Sequence, residues 1–146
     1  ALPTLPRDAP RPTVQRNDSA RLASCRPDAA VAASLHGLCY SEATTMNVGL
    51  LAMWGAYVSR LSGAEEVVIA QPHSLRQDEQ LAQTIGYFHT VLPLVYVAEA
   101  AQGSAHAFRA MHSQFVQALQ HSQAVAFQGQ KWPFGQTSGA VAFRPQ

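Results

Sequence analysis

Glu66-Val67-Val68-Ile69-Ala70-Gln71-Pro72-His73-Ser74-Leu75-Arg76, answered further on by Ile85-Gly86-Tyr87-Phe88-His89-Thr90-Val91-Leu92-Pro93-Leu94, is the part of this chain around which the rest packs. Val67 to Ala70 and Val91 to Val97 are short runs rich in β-branched residues, each bounded by Gly, Pro or polar residues. Helices need longer periodic segments, so both runs are expected as central strands of one sheet. Gln71 to Arg76 reads as a polar connector leaving the first of them.

The segment before the first strand is the plainest helix. Val48, Leu51, Trp54, Val58 and Leu61 recur at three and four residues, and Leu50, Met53 and Tyr57 widen the stripe. Most of its girth is expected to be buried. Thr44 or Thr45 caps it, and Ser62-Gly63 ends it because glycine accepts the left-handed conformation of a helix terminus. Upstream, Pro27-Asp28 starts an Ala-rich helix over Ala29 to Leu38, with Val31, Leu35 and Leu38 on one stripe and Gly37 weakening its end. Ser19 to Arg26 alternates and predicts a further strand. Downstream, Arg76 to Thr84 reads as one or two helical turns. Ser104 caps a long helix to about Ser122 with Phe108, Met111, Phe115, Val116 and Leu119 inward. Ala140 to Phe143 is a closing strand. The expected class is α/β in the α+β sense, a mixed sheet of four strands covered mainly on one side by helices. Its expected core is Val48, Leu51, Trp54, Val58, Val68, Ile69, Leu92, Leu94, Phe108, Phe115 and Leu119.

A length of 146 residues suits one domain that buries roughly two thirds of its unfolded surface. Residues 1–16, with Pro3, Pro6, Pro10 and Pro12, read as an extended linker, and residues 17–146 as the folded unit. Formal net charge is +1 with no basic run, so nucleic acid and anionic membranes are not expected partners. Only 13% of residues are charged, so the polar surface falls to Gln, Ser, Thr and His, a composition suited to contact with other protein. No apolar stretch reaches the ~18 residues of a membrane span, and the N-terminus lacks the apolar core of a signal peptide. A cytoplasmic location is expected.

Chemistry-bearing patterns are sparse. His106 and His112 lie six residues apart on one helix and therefore on different faces, and the chain has no HExxH, G-x-S-x-G or P-loop pattern. No metal site is expected. Cys25 and Cys39 are too far apart for a CxxC site and are expected as buried thiols. Trp132, with Phe134, is a candidate partner anchor, and Trp132 serves equally as a lid over the core.

Several pieces occur in an order that resembles one family. Leu5-Pro6-Arg7-Asp8-Ala9-Pro10-Arg11-Pro12 is similar to a linker "LPxDxPRP", and Glu42 to Gly63 to a long core helix. Val67–Pro72 is similar to a strand "IVxGTP", and Ile85-Gly86-Tyr87-Phe88 with Leu92-Pro93-Leu94 to "IGxFVNTLPLR". The chain thus resembles, from Leu5 to about Phe143, the C-terminal lobe of condensation domains from non-ribosomal peptide synthetases. The departures are specific. His89, Thr90 and Val91 stand where the pattern has Val, Asn and Thr, and Val95 stands for Arg. A motif like "HQDVPFE" survives as Ser122-Gln123-Ala124-Val125-Ala126-Phe127-Gln128, and Lys131-Trp132-Pro133-Phe134-Gly135 follows where "RDxSRNPL" is usual.

The resemblance implies a partial chloramphenicol-acetyltransferase-like lobe, truncated and degenerate, that forms one wall of a substrate tunnel. It implies a catalytic "HHxxxDG" on the other lobe, and this chain has no adjacent histidines. No catalytic residue is therefore assigned, and the isolated chain is expected not to form amides. Gln71, His73, Arg76, Tyr87, His89 and Thr90 are the candidates for the tunnel or an interface. No cofactor is expected to bind directly, although a partner carrier protein would bring phosphopantetheine. Flanking synthase domains, the carrier or a second copy are the implied partners. Two functional readings stay open: a non-catalytic structural or docking remnant within a non-ribosomal peptide or hybrid polyketide assembly line, and part of an active condensation domain forming amides or esters with an HHxxxDG lobe outside this chain.

Overall fold

The two apolar runs meet as neighbouring antiparallel strands. The computed structural model describes residues 5–6, 24–76, 83–86, 88–98 and 103–122 and the backbone of 141–142. In chain order it builds α1 (Ala29–Ser41), α2 (Met46–Ser62), β1 (Glu66–Ser74), β2 (His89–Val97), α3 (Gly103–Gln120) and β3 (Val141–Ala142). β1 pairs with β2 along its whole length, from Glu66 opposite Val97 to Ser74 opposite His89. β3 lies parallel on the other side of β1, with Val141 beside Ile69, so the sheet is mixed, in the order β2-β1-β3.

Strand alternation sorts the side chains. Val67, Ile69 and Gln71 of β1 and Thr90, Leu92 and Leu94 of β2 are buried on the face that meets the helices. Val68, Ala70, Val91 and Val95 are half-buried on the other. The core gathers Val48, Leu51, Ala52 and Val58 of α2 with Val67, Ile69 and Leu94 of the sheet, Phe108 and Met111 of α3, and Cys39 of α1. Trp54, Tyr96 and Phe115 pack around it half-buried. α2 can lie this close to β2 because Gly55 faces Tyr96, where an added Cβ would sit 2.5 Å from the Tyr96 side chain. Caps fix the helix ends. Asp28 Oδ1 accepts from the Ala30 amide at 2.9 Å, Thr45 Oγ1 from the Val48 amide at 3.3 Å, and Gly63 closes α2 at φ 68°.

Several expectations are corrected. Gln71-Pro72-His73-Ser74 is paired strand and not connector. Proline is tolerated there for a reason visible at Val95, whose N–H and C=O both bond Gln114 on the side away from β1. Every second pair from Val68–Val95 onward therefore points its amides outward, and Pro93 and Pro72 both fall on those pairs. Ser24 to Arg26 is irregular, the rest of the expected first strand lies outside the described residues, and the described sheet has three strands. α1 runs past Gly37 to Ser41 with Val31 60% exposed and only Cys39 fully buried, because its alanines offer no broad apolar face. Cys25 is exposed, and both thiols are free. α2 is less enclosed than its stripe implies, with Met53, Tyr57 and Leu61 exposed, as is Val116 of α3. α3 begins at Gly103, one residue before the expected Ser104 cap, with Gly103 at φ 71°. The helical turns expected over Arg76 to Thr84 fall mostly outside the described residues.

Candidate functional site

The candidate residues gather at the end of the hairpin where β1 leaves and β2 begins. His73 stands opposite Thr90, and Gln71 stands opposite Leu92, all on the helix-facing side. Ser74 stands opposite His89 on the other side, so alternation places the two histidines on opposite faces of the sheet. His73 meets the Phe115 ring edge-on at 6.4 Å between centroids. Burial there, and then the nearby His89, lower its pKa from the ordinary imidazole value. Gln71 is only 4% exposed and Thr90 is buried, so neither presents an open wall in this structure. Gln71 Nε2 donates to the Pro72 carbonyl at 3.1 Å, whereas its buried Oε1 has no hydrogen-bond partner among the described residues.

Arg76 organises the loop beyond the strands. Its Nη1 donates to the Thr84 carbonyl at 2.9 Å and its Nη2 to the Gly86 carbonyl at 2.8 Å. The guanidinium lies over the Phe88 ring, 4.8 Å from the centroid. A Cβ at Gly86 would come within 2.9 Å of that same ring, so a larger residue there would have to move the Phe88 ring. The Leu75 amide donates to the Phe88 carbonyl at 2.8 Å and carries the ladder one pair past the strands. Sequence reasoning misses this fork as a contact, since its partners are backbone carbonyls eight and ten residues away. The one signal is an arginine leaving a strand ahead of Ile85-Gly86. Tyr87, Trp132 and Phe134 lie outside the described residues.

A second feature is apolar. Between α2, the end of β2 and the start of α3, a groove of about 500 Å³ is lined by Ala52, Met53, Tyr57, Tyr96, Ala107 and Phe108 among others. Exposed Met53 and Tyr57 form its lip. Among the described residues, no group of three or more His, Cys, Asp or Glu could hold a metal ion, and no helix is long and apolar enough to cross a membrane.

The architecture can be compared with known proteins. Residues 1–139 match the family model of the condensation domain. The chain belongs to the condensation-domain family. Among curated condensation-domain relatives, a plipastatin synthase protein of Bacillus subtilis (strain 168) is 31% identical over 130 residues, 89% of this chain and 5% of that protein. Malpibaldin synthetase of Mortierella alpina is 40% identical over 90 residues, 62% of this chain and 2% of that protein. The chain therefore spans a few hundredths of the length of either relative. Among solved structures, a holo four-domain nonribosomal peptide synthetase bound to AMP and glycine superimposes with a TM-score of 0.77 at 26% identity, over 87% of this chain and 10% of that one. The X-domain from teicoplanin biosynthesis gives 0.73 at 22% identity, over 93% and 32%, which shows a shared fold.

Proposed function

We propose that this condensation-domain lobe works by architecture, as a wall and docking module of a cytoplasmic assembly-line synthetase, and moves no proton in amide formation. The observation that carries this reading is the placement of His73 and His89 on opposite faces of the sheet, so the two do not form a histidine pair on one face. His73 is turned under the helices against Phe115, and its lowered pKa reflects that cover and the nearby His89. The residues nearest the rim instead build a rigid edge, with Arg76 fastening Thr84 and Gly86. Tyr87, Trp132 and Phe134 are proposed as further contact residues.

Substrates would arrive on a carrier protein's phosphopantetheine arm. The Arg76 fork is engaged by two carbonyls and Gln71 is buried under the helix layer, so the arm would be held by its carrier and merely faced by this wall. Exposed Met53 and Tyr57 beside the apolar groove support docking of a neighbouring domain. Light scattering of the chain alone and mixed with the domains adjacent to it in its natural protein tests this. A complex with at least one neighbour is expected, and a monomer that binds none of them contradicts it. A second reading, that the lobe completes an active condensation domain, is favoured by the close-fitted turn at Ile85-Gly86. It requires that Arg76→Ala in the natural protein lower condensation.

A further inference from the structure

Ile85 is 101% exposed, the most open of the large hydrophobic side chains among the described residues. An aliphatic side chain so placed gains nothing from its own fold, which normally lets a loop collapse until such a residue finds cover. The residues on both sides of Ile85 are fastened through their carbonyls by one guanidinium, Nη1 to the Thr84 carbonyl at 2.9 Å and Nη2 to the Gly86 carbonyl at 2.8 Å. The guanidinium is itself seated on Phe88, and Phe88 closes against Gly86. A β-branched side chain with restricted χ1 is thereby held out on a turn whose backbone is already ordered. Ordering flexible groups is a main cost of association, so a pre-ordered apolar knob is the form an interface anchor takes.

We propose that Ile85 is a docking anchor that inserts into an apolar socket on a neighbouring domain of the same protein, with Arg76 as the residue that positions it. The occupant follows from proportion. The chain covers 10% of the four-domain synthetase chain that shares its fold, so that relative carries further domains beside this lobe. This rests on the proposed docking role and adds to it the residue and the socket chemistry.

Thiol labelling in the natural full-length protein tests the proposal. Ile85→Cys is introduced, and maleimide incorporation at the peptide containing position 85 is followed by mass spectrometry in the native and urea-unfolded protein. Burial in a socket should slow native labelling at least about tenfold relative to the unfolded protein, because thiol reactivity requires access. Adding Arg76→Ala to the same protein should restore most of the rate. Native labelling within about twofold of the unfolded rate overturns the proposal, because an open site reacts freely. Protection that disappears on dilution also overturns it, by assigning the socket to a second copy. A neighbour that docks by light scattering while position 85 stays reactive defeats the anchor and leaves the docking role standing.

Discussion

Gln114 holds both backbone groups of Val95: the Val95 amide donates to Gln114 Oε1 at 2.9 Å, and Gln114 Nε2 donates to the Val95 carbonyl at 2.6 Å. One carboxamide on α3 thus takes the place of a neighbouring strand on the side of β2 that faces away from β1. It ties α3 to the sheet at the level where the core residue Met111 packs. Gln114→Ala leaves both Val95 groups without this partner and should cost about 1–3 kcal/mol. Gln114→Glu should be at least as damaging, because a carboxylate oxygen then faces the Val95 carbonyl. Urea unfolding midpoints decide, and unchanged midpoints would show that the clamp contributes nothing.

Gly55 makes a second prediction by its size. A methyl group there would lie 2.5 Å from the Tyr96 side chain, and the contact includes Tyr96 Cβ, which cannot swing away without moving β2. Gly55→Ala raises helix propensity and still should destabilise the fold by about 1–3 kcal/mol through overpacking. Calorimetry of the variant should show a lower Tm. A raised Tm would place α2 farther from β2 than described.

His73 gives the protein a pH dependence of known sign. Its pKa is lowered from an ordinary value of 6.5 by burial and then by His89, so the fold prefers the neutral ring. Above the ordinary value both folded and unfolded chains hold it neutral, and its contribution is fully present. As pH falls through that value the unfolded chain takes up a proton first, and stability drops until the folded ring is protonated too. His73→Phe should flatten that part of the stability profile. Equal slopes for the two proteins on the acid side of neutrality would show that His73 is not the group responsible.

The sheet and the two long helices are legible in the sequence because their signals are local. β-branched runs at Val67–Ala70 and Val91–Val97 and the repeat from Val48 to Val58 need only neighbours in sequence to be read. Strand ends are harder to read where proline intervenes. Pro72 looks like a break until the register shows its missing N–H pointing away from β2. Periodicity overstates the burial of Met53, Tyr57 and Val116 because it reports which face is apolar, not what covers it. At the site, Gln71, His73, Arg76, His89 and Thr90 do gather at one end of the hairpin. Their division between two faces follows from strand register, which a single sequence does not print. The Arg76 fork and the Gln114 clamp both end on backbone carbonyls or amides, groups that every residue carries, so no residue type announces them.

The sharpest check on a lobe that works by architecture is amide formation from a carrier-bound thioester and an amine, followed by single-turnover mass spectrometry with and without this chain. No product above the buffer rate is expected from the chain alone, and no change with His73→Ala or His89→Ala. Turnover above that rate, abolished by either substitution, would overturn the architectural role and make the end of the hairpin a catalytic centre.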